Sequence, residues 1–98
     1  MKARHLFVVA LLAGVGTMRA LAVEEAPPGA ASCTGCHPAK PNVDTSVPAL
    51  NGQDANAIVA AMQAYRSGQR TATVMERIAR GFSDDEIKAI AAWFAAQR

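Results

Sequence analysis

The sequence predicts an all-α fold of three to four short helices joined by long loops, and three observations carry that expectation. No segment alternates apolar and polar residues over the length of a strand. Ile58, Val59, Met62 and Tyr65 recur at helical spacing between Asp54, a suitable N-cap, and Gly68, a natural stop. Ser83-Asp84-Asp85-Glu86 is a capping box, with Ser83 as the cap and Glu86 at the third helical position.

The N-terminus reads as a targeting segment. Met1 to His5 is short and basic, Leu6 to Val15 is an apolar run, and Ala20-Leu21-Ala22 supplies a small-x-small cleavage site. Together they predict a signal peptide over residues 1–22. The apolar run falls short of the ~20 residues that span a bilayer, although Arg19 beside the cleavage site keeps an uncleaved anchor as the alternative. Removal of residues 1–22 from the 98 leaves 76 and takes Lys2, Arg4 and Arg19 away. Seven basic residues then face eight acidic ones, so the apparent pI of 8.8 belongs to the precursor. No basic run with interleaved aromatics remains, which argues against nucleic acid as a partner. Export points to the periplasm, with no membrane span after cleavage.

The exported part has little with which to build a core. Alanine fills 22 of the 98 positions, and residues 23–98 contain only sixteen large apolar side chains. Domains this small usually carry a disulfide, a metal or another staple. A bulky apolar cofactor would serve.

The elements follow in order. Residues 23–29, with Glu24, Glu25, Pro27, Pro28 and Gly29, form an exposed lead-in to a domain over 30–98. A short helix is expected through Ala30, Ala31 and Cys33, with Pro28 in its first turn. Pro38 to Gly52 holds three prolines and two asparagines without periodicity. A loop of that length in a compact domain calls for a functional reason, such as wrapping a ligand. The Asp54–Gly68 helix comes next, then a turn or two over Val74–Arg80 before Gly81. The last helix starts at Ser83, with Phe82 and Ile87 spaced as a hydrophobic staple. Ile87, Ile90, Ala91 and Phe94 line one face of it, flanked by Trp93.

Both cysteines fall in Cys33-Thr34-Gly35-Cys36-His37. Cys-x-x-Cys-His is the haem c attachment pattern. On one helical turn the two thiols project to the same side and reach the two vinyl groups of a haem edge as thioethers. His37 follows at once and offers its imidazole to the iron. Competing readings are weaker. A redox Cys-x-x-Cys sits at a helix start in a βαβ context, and no strand pattern precedes this one. Structural zinc needs four ligands, and residues 23–98 hold two Cys and one His. A disulfide across two intervening residues closes almost no loop. One covalent haem c is the expectation.

From about Ala30 to Arg98 the chain resembles a short bacterial class I cytochrome c. Beyond Cys33–His37, the likeness rests on Val47-Pro48-Ala49-Leu50-Asn51-Gly52-Gln53, on Tyr65-Arg66-Ser67-Gly68-Gln69-Arg70, and on Met75 followed by Ser83–Ile87 and Trp93-Phe94. Thr73 to Ser83 is especially similar to the cytochrome subunit of flavocytochrome c sulfide dehydrogenases. The resemblance implies helices wrapped around one covalently attached haem, with the N- and C-terminal helices crossing. His5 leaves with the signal, so Met62 and Met75 are the candidates for the sixth iron ligand. Met62 lies on the apolar stripe and is read as core. Met75 lies between helices and occupies the family's ligand position. The Pro48 carbonyl is implied as the acceptor of the second His37 ring N–H. Gly52 is either a point of close approach to the haem or a turn glycine. Arg66 or Arg70 either pairs with a haem propionate or stays solvated, and Trp93 packs at the core or the haem edge.

The function implied is single-electron transfer without substrate chemistry, because His/Met-ligated iron has no open position. Two settings fit: a free periplasmic carrier meeting redox partner proteins, or the haem subunit that accepts electrons from a flavoprotein sulfide dehydrogenase. The contrasting class is a five-coordinate haem protein with peroxidase or gas-sensing activity, in which Met75 does not bind.

Overall fold

The computed structural model describes Gly14, Gly16, Thr17, residues 24–41 and residues 44–98. The expected signal peptide, Val23, Asn42 and Val43 lie outside these, apart from the three isolated residues at 14, 16 and 17. The described residues form four helices and no strands: α1 (Ala30–Cys33), α2 (Ala55–Ser67), α3 (Met75–Arg80) and α4 (Asp84–Ala96). None of the helices is long and apolar enough to cross a membrane.

The helix boundaries are chemical. Asp54 caps α2 by accepting from the Ala57 N–H at 2.9 Å, and Gly68 closes it with an N–H to the Tyr65 carbonyl. At α4 the capping box is complete. Ser83 Oγ accepts from the Glu86 N–H at 3.2 Å, and the Ser83 N–H donates to Glu86 Oε1 at 3.0 Å. Hydrogen bonding to the carboxyl from Ser83, its backbone N–H first and its hydroxyl second, holds Glu86 below the usual carboxylate range.

Ala30, Ile58, Ile90, Ala91 and Phe94 make one buried cluster, joining α1, α2 and α4. Phe94 of this cluster and Ile87 on the same helix, each 2% exposed, are the largest fully buried side chains among the described residues, worth ~1.5–3 kcal/mol apiece by burial. Trp93 meets Phe94 edge-on at 4.9 Å. The stripe expected on α4, Ile87-Ile90-Ala91-Phe94, is the buried one.

The lead-in is more firmly attached than an exposed segment would be. Glu24 to Ala26 are exposed, yet the Trp93 indole N–H donates to the Glu24 carbonyl at 3.4 Å. Gly29 is the N-cap of α1, so Pro28 precedes the helix instead of lying in its first turn. The Gly29 φ of 89° lies in the left-handed region, and a Cβ there would stand 2.5 Å from Phe82 Cε1 and 3.4 Å from Ile90 Cδ1. Four residues are enough for α1 to meet α4 because glycine lets the backbone itself come that close.

The described part of the long loop is pinned along its second half. The Val47 N–H reaches Thr45 Oγ1, the Gln53 amide reaches the Ala49 carbonyl, and the Gly52 N–H donates to the Phe94 carbonyl at 3.0 Å. Its length is explained by what it encloses.

Candidate functional site

A cavity of about 620 Å³ opens between the helices and the loop, within the range of sites for small molecules and cofactors. Eleven of the sixteen large apolar residues expected to form the core line it: Val47, Leu50, Ile58, Met62, Tyr65, Val74, Met75, Ile78, Phe82, Ile87 and Ile90. These side chains face a space as much as one another, so the domain is arranged around an apolar body it does not itself supply. The loop contributes Ser46, Val47, Pro48 and Leu50 to the wall, which is the wrapping role its length suggested.

Cys33, Cys36 and His37 enter from the end of α1 and the turn after it. The turn continues the helix by hydrogen bonds from Cys36 N–H and His37 N–H to the Cys33 carbonyl, at 3.2 and 2.9 Å. All three side chains therefore line one region. The two thiols are free, Cys33 half-buried and Cys36 exposed, and burial pushes the Cys33 thiol up from its ordinary pKa. The Cys33 Sγ lies 3.8 Å from the Gly29 carbonyl. His37 Nδ1 donates to the Pro48 carbonyl at 2.6 Å. That bond assigns the proton to Nδ1 and leaves Nε2 as the lone-pair nitrogen, the arrangement a metal-ligating histidine adopts.

Met62 and Met75 both line the cavity, from α2 and from the first position of α3. Met62 also packs on the buried cluster, as its place on the stripe predicted. Arg70 lies at the wall with its guanidinium 4.9 Å from the centre of the Tyr65 ring, itself a lining residue. Arg66, the other cation considered, is engaged elsewhere: it bonds the Phe82 carbonyl and the Asp84 carboxylate. Gly52 does not line the cavity. Its φ of 75° and its bond to Phe94 give it a turn role, docking the loop on the end of α4. Trp93 packs beside the core and does not line the cavity either.

Phe82, Ile78 and Val74 were not singled out as site residues in the sequence, though all three line the cavity. The signal was present in their spacing: 74, 78 and 82 stand four apart. The residues present fit a haem. Two thiols beside a tautomer-fixed imidazole, two thioethers from other elements and an apolar surround are the donor set and the medium that such a group takes.

No family model matches the chain. Among curated proteins it is 38% identical over 63 residues to the cytochrome subunit of sulfide dehydrogenase of Chlorobaculum tepidum, covering 64% of this chain and 57% of that one. It is 43% identical over 67 residues to the thiosulfate dehydrogenase electron acceptor of Stutzerimonas stutzeri, covering 64% and 31%. With cytochrome c-554(548) of Halomonas halodenitrificans it shares 36% identity over 70 residues, 67% of this chain and 84% of the relative. The chain thus spans about half of the first relative, a third of the second and most of the third. A chain folded around a haem-sized apolar cavity, with Cys33, Cys36 and His37 on its wall, and matching a whole small cytochrome over most of its length, belongs to the small c-type cytochromes, haem proteins of electron transfer.

Proposed function

We propose that this chain is a periplasmic one-haem electron carrier in which Cys33 and Cys36 hold the macrocycle as thioethers while His37 and Met75 bind the iron. The observation that carries the reading is that these four side chains all line the same cavity. Bound there, haem supplies a one-electron Fe(III)/Fe(II) couple. The chain's own residues do the rest. The Pro48 carbonyl orients the His37 ring and raises its basicity as a ligand. The Met75 thioether is soft and favours the reduced state, which raises the potential. With His37 and Met75 both given to the iron, a bound haem would have no place left for a substrate, and the chain would relay electrons without substrate chemistry. Arg70, held over Tyr65 at the wall, is placed to face a propionate.

Two relatives are named for enzymes that oxidise reduced sulfur. Their names support a setting in which this chain accepts electrons from a partner dehydrogenase, a flavoprotein in the sulfide case, over that of a free carrier. Export through residues 1–22 places the chain where covalent attachment takes place.

Expression with a maturation system tests the cofactor assignment by intact mass and pyridine haemochrome. One added haem mass is expected, with both thiols consumed. A processed chain without that mass contradicts the reading, and Cys36→Ser is expected to leave at most one thioether and a much lower yield.

A further inference from the structure

α3 presents Met75 as its first residue and packs on α2, but has little in its own length and caps with which to hold its start. Six residues are far fewer than the ~12–15 at which an isolated helix becomes marginal. Its N-cap, Val74, makes no side-chain cap bond and is 55% exposed. Only Ala79 within α3 is buried. The firm end of the segment is its exit. There the Gly81 N–H bonds back to the Ile78 carbonyl, and the chain turns through Phe82 into the capping box of α4.

Arg66 stands at that exit, in the last turn of α2. Its Nη1 donates to the Phe82 carbonyl at 2.9 Å, and Nη2 donates to the Asp84 carboxylate. The side chain is 30% exposed and Asp84 58%. An exposed ion pair on its own contributes little. A charge-assisted bond to a partly buried main-chain carbonyl is stronger, and a planar fork satisfying acceptors on both sides of Ser83 fixes direction as well as distance.

We propose that Arg66 is a positioning residue for Met75. By fastening Phe82 and the first turn of α4 to the end of α2, it fixes the short segment that presents the sulfur to the cavity. Phe82 transmits the restraint, because its ring both lines the cavity and packs on Gly29, the N-cap of the helix that carries Cys33. The inference rests on Met75 as the axial ligand.

The test is an imidazole titration of the haem-loaded ferric protein, as wild type, Arg66→Met, Arg66→Lys and Asp84→Asn. Imidazole competes with the thioether, and the near-infrared band of Met–Fe(III) ligation reports displacement. Arg66→Met is expected to bind imidazole about tenfold more tightly than wild type, in keeping with the loss of a charge-assisted bond. Arg66→Lys is expected between them, since a lysine reaches one acceptor at a time. Asp84→Asn, which keeps the bond to Phe82, is expected within about twofold of wild type. If the wild-type band is present and all four affinities agree, this proposal alone is overturned. If Arg66→Met does not load haem, the decision passes to Arg66→Lys against Asp84→Asn: tighter imidazole binding by the lysine variant supports it and equality overturns it. A wild-type protein without the band overturns the Met75 reading, and this proposal with it.

Discussion

The Nδ1 of His37 lies 2.6 Å from the carbonyl oxygen of Pro48, eleven residues on. That one bond joins the turn after α1 to the loop that lines the cavity and fixes which ring nitrogen is free to bind a metal. The same loop is fastened to α4 by the Gly52–Phe94 bond. The histidine is thereby oriented by the fold as a whole, not by its own turn.

The haem-free chain is expected to lack a fixed tertiary structure. Eleven of the sixteen large apolar side chains in residues 23–98 line a cavity of about 620 Å³, and so small a domain has no surplus with which to keep that space empty. Cys33→Ser/Cys36→Ser protein, prepared without haem, is expected to show broad, non-cooperative thermal loss of helix by circular dichroism. A sharp melt with native near-ultraviolet signals would refute this.

Gly29→Ala is expected to destabilise the haem-loaded protein by about 1–3 kcal/mol, the range for a non-glycine residue forced into the left-handed region. The new methyl group would also press on the Phe82 ring, 2.5 Å away. Gly35→Ala, where the backbone is not left-handed and a Cβ meets only the Ser32 carbonyl oxygen at 3.6 Å, serves as the control and is expected to change stability by less than about 0.5 kcal/mol. Denaturant midpoints measure both.

Removal of the α4 cap is expected to weaken the protein most at neutral pH. Ser83→Ala should cost about 1 kcal/mol, the usual loss for an N-cap hydroxyl. The Glu86 partner of that cap is held below its ordinary value of 4.5 by its bonds to Ser83. A depressed carboxylate contributes stability that is present above the unfolded value and is lost as pH falls through the folded one. The difference between wild type and Glu86→Gln is therefore expected to be largest above about pH 5 and to shrink with acidification. A gap that grows as pH falls would contradict the assignment.

The elements that carried local chemical signals were legible in the sequence, and the long-range ones were not. Asp54, Gly68, Ser83 and Glu86 mark helix ends through bonds to near neighbours: α2 begins and ends, and α4 begins, where those residues require. Cys33, Cys36 and His37 announce a site because their spacing is the chemistry. Arg66 illustrates the opposite case. Its partners Phe82 and Asp84 lie sixteen and eighteen residues away, so no local pattern distinguishes it from Arg70, which holds the place at the cavity wall. Gly52 was ambiguous for the same reason, since its contact, Phe94, is distant in sequence. The attachment of the lead-in through Glu24 and Gly29 also depends on residues of α4 and on Phe82 that the segment itself does not reveal.

The most direct measurement is the near-infrared band of thioether–Fe(III) ligation, recorded for wild type, Met75→Ala and Met62→Ala. Both methionines line the cavity, so the spectrum decides between two sulfurs that share one space. Wild type is expected to show the band. Met75→Ala is expected to lose it, to fall in potential, and to open the iron to carbon monoxide. Met62→Ala, which truncates a side chain packed on the core, is expected to keep the band while costing about 2–5 kcal/mol of stability. A band retained in Met75→Ala and lost in Met62→Ala would reverse the ligand assignment. A wild-type protein without the band would contradict the six-coordinate electron carrier and favour the five-coordinate reading with peroxidase or gas-sensing activity.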